Sequence, residues 1–178
     1  MNYLALDLEM NQPSGKIIQI GFAYGGKEGI YKKAYFVNPE EELTEFIVGL
    51  TDIKQTDVDA APTLPVVWKQ ICDEYLSTLQ PTVCGRFLNP LTWGGNDVAE
   101  IFKQLGHEEG RSHFGRRYVD VKTIFVAWRL ANDNHFQGGL AKSMTKVGLA
   151  FEGRKHRADD DALNTLRMYL KLLEKFTV

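Results

Sequence analysis

Residues 3–37 run YLALDLEMNQPSGKIIQIGFAYGGKEGIYKKAYFV. Tyr3 to Glu9 has period-2 character, with Leu4, Leu6 and Leu8 on one face and Asp7 and Glu9 on the other. Lys16 to Tyr24 follows, with Ile18, Ile20 and Phe22 sharing a face, and Gly25-Gly26 begins a turn. Ile30 to Val37 makes a third strand, ended by Asn38-Pro39. Three strands joined by short connections predict an antiparallel meander.

Beyond this stretch the spacing becomes helical. Leu64, Val67, Trp68, Ile71, Tyr75 and Leu79 recur every three or four residues, with Pro65 in the first turn and Pro81 past the end. Leu88 to Trp93 is a candidate strand that Pro90 makes an edge or an irregular one. A short helix over Asp97–Leu105 stops at Gly106, and Tyr118–Val121 reads as a strand leading into a helix at 123–130. Helices are also predicted over 140–147 and 159–176, the last with an Ala162, Leu166, Tyr169, Leu173 stripe. Glu40-Glu41-Glu42 reads as a solvated loop or helix start. The later alternation predicts parallel strands covered by helices. The class is therefore α/β: a mixed sheet flanked by helices, one domain over residues 1–178 with no repeat or linker.

The bulk properties agree. The chain has 178 residues, 44% hydrophobic and 25% charged, which is ordinary for a globular domain with a sizeable core. Cys72 and Cys84 lie in no CxxC or Cys/His cluster and read as reduced, buried thiols. No apolar run approaches the length of a membrane span, and the N-terminus lacks a signal-peptide pattern. A cytoplasmic location is expected. The net charge of −2 argues against a protein that coats duplex nucleic acid, which needs many Lys and Arg. It leaves room for one that grips a few terminal nucleotides.

The chemistry starts at Asp7-Leu8-Glu9. Residues i and i+2 of a strand share a face, about 7 Å apart. Two carboxylates on a buried face repel unless a positive charge joins them, and a hard divalent cation does so. If that sheet end is exposed instead, both acids are simply solvated. Asp97 follows a strand and opens a helix, where an N-cap role would suffice. In His156-Arg157-Ala158-Asp159-Asp160-Asp161, an N-cap role explains Asp159 or Asp160 but not His156, which lies among Arg154, Lys155 and Arg157.

Together, DxE, a central Asp and H-x-A-x-x-D form a constellation that resembles the DEDD superfamily of 3′→5′ exonucleases, histidine subtype. The resemblance covers nearly the whole chain. Leu6 to Met10 resembles the first motif, followed by Lys16-Ile17-Ile18-Gln19-Ile20-Gly21 as the family's second strand reads. Thr51-Asp52-Ile53 and Ala60-Ala61-Pro62-Thr63 are similar to the segment before the family's first helix. Thr92 to Asp97 resembles the second motif, and Phe151-Glu152-Gly153 with His156, Ala158, Asp161 and Asn164 resembles the third. The flavour is that of enhanced-RNAi-type exoribonucleases, with RNase T and oligoribonuclease more distant. Asn96, where those relatives often carry an aromatic residue, and Met10-Asn11-Gln12, in place of a Thr-rich stretch, depart from the pattern.

The resemblance implies a ribonuclease H-like sheet and two divalent cations, Mg²⁺ or Mn²⁺. Asp7 would bridge them, Glu9 and Asp161 would complete one site, and Asp97 would support the other. It implies His156 as general base. The substrate would be a single-stranded 3′ end, RNA favoured over DNA. Met10 would wedge against the terminal nucleotide, and Arg154 and Arg157 would meet a phosphate. Trp93 is a candidate stacking surface, although core packing accounts for it as well. Trp68 and Trp128 read as core. The oligomeric state is not legible.

Overall fold

A computed structural model describes residues 1–79, 88–132, 135 and 138–176. Cys84 and Pro81 lie outside them. Three antiparallel strands open the chain: β1 (Tyr3–Met10), β2 (Ile17–Gly26) and β3 (Gly29–Phe36). The strand continues through Gly25-Gly26, so the turn comes two residues later than expected. The short β4 (Leu91–Thr92) and β5 (Val119–Asp120) add in parallel, giving the order β3-β2-β1-β4-β5. This is the mixed sheet that the meander and the later alternation predict.

Seven α-helices flank it among the described residues. They are α1 (Glu45–Thr51), α2 (Gln55–Asp59), α3 (Leu64–Gln70), α4 (Asp97–Leu105), α5 (Val121–Ala131), α6 (Leu140–Lys146) and α7 (Ala158–Phe176). On one face Leu4, Leu6, Ile20 and Phe22 pack against Val67 and Trp68 of α3 and Ile101 of α4. On the other, Ala5 and Ala23 lie under α5, α6 and α7, which supply Phe125, Met144 and Leu166. Small residues on that face let α7 come close. Cys72 is a buried free thiol, as expected, and burial pushes its pKa up to about 11. No described helix is long and apolar enough to cross a membrane.

Three expectations need correction. The 64–79 helix is not one regular helix: α3 passes into a π-helical turn (Ile71–Tyr75) and a 3₁₀ turn (Leu76–Thr78). The candidate strand 88–93 shrinks to Leu91–Thr92 and lies inside the sheet, so of the two readings offered by Pro90 the irregular strand holds and the edge strand does not. Pro90, lacking an N–H, sits just before the ladder, and its carbonyl accepts from Val119 N at 2.9 Å. Ile18 does not share the face of Ile20 and Phe22. A register shift at Glu9/Met10 sends it to a third cluster with Ile47, Ile53 and Val58. That cluster seats α1 and α2, which the periodicity did not reveal.

Candidate active site

Asp7 and Glu9 project from β1 toward the α7 face, opposite the side that buries Leu4 and Leu6. Gly21 pairs with Asp7 across the ladder, and Gln19 pairs with Glu9. Both partners hold the start of α7. A side chain at Gly21 would collide with the backbone of Ala158 and Asp159, so the helix rests directly on the strand. Gln19 is fully buried, and its Oε1 accepts from Ala158 N at 2.9 Å. On β3, Lys32 Nζ donates to Asp159 Oδ2 at 2.7 Å and also bonds Asp160. The acidic run is thereby sorted: Asp159 and Asp160 anchor the helix, and Asp161 is left for the site. Neither Asp159 nor Asp160 is an N-cap, because α7 begins at Ala158 and places them in its first turn.

Asp161 Oδ2 accepts from the backbone N–H of His156 at 2.8 Å. This folds the exposed loop before α7 back over the sheet, with His156 in the left-handed region at φ 60°. One donor atom each of Glu9, His156 and Asp161 then lie within 4.8 Å of one another. Asp97 arrives from the other side, at the first position of α4. The N-cap is Asn96, not Asp97: Asn96 Oδ1 accepts from Ala99 N at 3.2 Å. The aromatic-to-Asn departure thus supplies the cap and leaves the Asp97 carboxylate uncommitted to capping.

The electrostatics record the convergence. Burial first, then the charges of Asp161, Asp97 and Glu9, hold the Asp7 carboxyl well above the usual carboxylate range. Glu9 is pushed up to about 8 by burial and Asp161, with Arg157 opposing. Asp97 rises to about 7 through burial and Asp120. Asp161 rises to about 6, chiefly through burial, against the lowering bond from His156. Four crowded acids, opposed among the described residues by Arg157 at Glu9 and by His156 at Asp161, make a site that stabilises added positive charge. Hard carboxylate oxygens plus an imidazole suit a divalent cation, so the donor set fits the expected metal.

Met10 is half-buried at the end of β1 and packs on the α3 side. Trp93 is half-buried against Phe125, ring centroids 6.2 Å apart. Arg154 is ion-paired to Asp52 at 2.9 Å, both exposed. Arg157 lies over the Phe36 ring at 5.2 Å, close enough to Glu9 to act on its titration. Trp68 is buried in the core and donates to the Glu109 carbonyl at 2.8 Å. Sequence reasoning missed Asp120. It caps α5, accepts from Gly94 N at 3.0 Å and acts on Asp97. Its position before a helical apolar stripe was the available signal.

A mixed sheet of this order, with acids on its central strand and another on the closing helix, has the fold of the DEDDh 3′-exonucleases. The chain belongs to the RNase_T exonuclease family, whose model matches residues 4–169. The 3'-5' exoribonuclease 1 of Rattus norvegicus is 26% identical over 143 residues, covering 78% of this chain and 40% of the relative. The chain thus spans about 40% of the length of that curated relative. A 3'-exonuclease solved in 3'-end specific recognition of a histone mRNA stem-loop aligns with a TM-score of 0.77 and 21% identity, over 98% of this chain and 82% of that one. The nuclease domain of 3'hExo, a DEDDh family member bound to rAMP, gives 0.70 and 22%, over 98% and 92%.

Proposed function

We propose that this chain is a 3′→5′ exonuclease that removes nucleoside 5′-monophosphates from single-stranded nucleic acid, RNA in preference to DNA. One observation carries the reading: Glu9, His156 and Asp161 stand in ligand range of one another, and the charges of Asp161, Asp97 and Glu9 act on the buried Asp7 carboxyl. The exoribonuclease named among the relatives supports the preference for RNA. Asp7, Glu9, Asp97 and Asp161 would hold two divalent cations, Mg²⁺ or Mn²⁺. When bound, these supply charge stabilisation for the attacking and leaving oxygens of an in-line displacement. His156 accepts the proton of the attacking water, an imidazole being matched to that task near neutral pH. The water oxygen bonds to phosphorus and the bond from phosphorus to the 3′ oxygen breaks. The leaving 3′ oxygen takes a proton from solvent, so the shortened strand ends in a 3′-hydroxyl. Met10 and Trp93 border the terminal nucleotide, and Arg157 and Arg154 lie on its phosphate side.

A time course on 5′-labelled single-stranded RNA tests this. A ladder should shorten from the 3′ end, stop in chelator and resume with Mg²⁺ or Mn²⁺. A circular strand should resist, and matched DNA should be cut more slowly. Cutting of the circle, or full activity in excess chelator, would overturn the reading.

A further inference from the structure

The segment joining α4 to β5 carries a feature that the acid cluster does not use. Residues 111–118 read RSHFGRRY, with three arginines and no acid, in a chain of net charge −2. Glu108 and Glu109 precede the segment, yet none of the three arginines is ion-paired with a described residue.

The backbone here is held in place. Phe114 is buried, stacked on Trp68 with centroids 6.0 Å apart and edge-on to Phe102. Leu88 N donates to the His113 carbonyl at 3.1 Å, and Gly115 N returns a bond to the Leu88 carbonyl at 2.7 Å. The side chain of Asn89 lies against Gly115, where an added Cβ would have to displace it. Past the arginines, Val119 enters β5. Between these anchors Arg116, Arg117 and Tyr118 are exposed. Arg111 lies over the Phe102 ring at 5.1 Å. These four side chains and Asn96, the cap beside Asp97, border one small depression of about 20 Å³ with no carboxylate in its lining. It is too small to admit a base, so a strand passing over it would meet the arginines through its phosphates.

We propose that Arg111, Arg116 and Arg117, with Tyr118, form a phosphate-binding track for the single strand on the 5′ side of the nucleotide being removed. The inference rests on the exonuclease reading and extends it to the substrate path. The acid cluster repels a polyanion, so the strand leaving it needs compensating charge next door. Guanidinium forks match phosphate oxygens, and an exposed tyrosine offers a base a stacking face without demanding a sequence. Because the segment is already held, little ordering is required when the strand arrives.

The test compares Arg116→Ala/Arg117→Ala with the unaltered chain on single strands of 4 and 12 nucleotides, from 50 to 200 mM salt. Loss of two phosphate contacts should make the slope of log(kcat/KM) against log[salt] on the long strand shallower by about 1.4, at roughly 0.7 per contact. The 12-mer should lose about ten-fold in kcat/KM, through KM, and the 4-mer less. A charge-matched Lys171→Ala/Lys175→Ala variant, altered on the last turns of α7, should keep both slope and length preference. An Arg variant that keeps them too overturns the track and leaves the patch to another kind of partner. If the unaltered chain degrades no single strand, the exonuclease reading fails by itself. Anisotropy of a labelled 12-mer in chelator, with the same salt series, then still decides for or against the track.

Discussion

His156 occupies a backbone conformation, φ 60°, that costs a residue with a Cβ about 1–2 kcal/mol over glycine. The bond from its N–H to Asp161 holds it there. Keeping a strained histidine where glycine would sit at ease is explained by its imidazole, which stands in range of Glu9 and Asp161. Two variants separate backbone from side chain. His156→Gly should be more stable than His156→Ala by about 1 kcal/mol, read by thermal or urea unfolding. Both should lose turnover by about 10²–10⁴-fold, the usual contribution of a general base. His156→Asn should fare nearly as badly, since an amide does not take the proton. Near-normal turnover in any of the three across pH 6 to 9 would remove the general-base role. Asp161→Asn should differ from all of them by weakening cation binding itself.

At the scale of elements, the site is a consequence of how α7 is seated. Its first turn lies against Gly21, is bonded to Gln19 and is tied to Lys32, one contact on β2's glycine, one on its glutamine and one on β3. Gly21→Ala forces the helix start away from Asp7, because the obstacle is backbone. It should cost on the order of 1–3 kcal/mol and lower kcat by displacing Asp161. Gly49→Ala is the matching control: it sits in α1 with nothing near the added methyl, and should be neutral or stabilising by up to about 1 kcal/mol. Equal effects from both substitutions would show that the close seat is not what positions Asp161. The same elements explain what was readable in advance. The bounds of α4 and α7 followed from Gly106 and from a long apolar stripe, which are local signals. So did the alternation that put Asp7 and Glu9 on one face. The two-residue β4, the π-helical turn and the placement of α1 and α2 come from contacts across the chain: Val119 on Pro90, and Ile47 and Val58 on Ile18. Window-sized periodicity carries no trace of these. Asn96 as cap was equally hidden, since Asn and Asp adjoin there and either serves.

For the molecule as a whole, the acid cluster makes stability depend on pH in a direction opposite to that of ordinary acid denaturation. Glu9, Asp97 and Asp161 are raised from ordinary values of 4.5, 3.8 and 3.8 to about 8, 7 and 6, each chiefly by burial. Such a carboxyl stays protonated in the folded chain after the unfolded chain has released its proton. The folded state therefore binds more protons, and its stability falls as pH rises from about 4 to about 8. Glu41 and Glu100 are lowered instead, by their bonds from Ser14 and Gln104, so what they contribute is lost only as pH falls below the ordinary 4.5, beneath the range from pH 5 to pH 8. In chelator, the melting temperature should thus decline from pH 5 to pH 8. A cation competes with protons for the same oxygens, so its effect should grow over the same range. At pH 8, Mn²⁺ at 100 times its dissociation constant should add about 2.7 kcal/mol, and at pH 5 clearly less. Glu9→Gln removes the group with the highest of these three values; it should shorten the decline at its alkaline end and weaken the response to Mn²⁺. A melting temperature in chelator that stays level or climbs from pH 5 to pH 8 would mean that the four carboxylates do not share one buried site, and the cation chemistry built on them would fall with it.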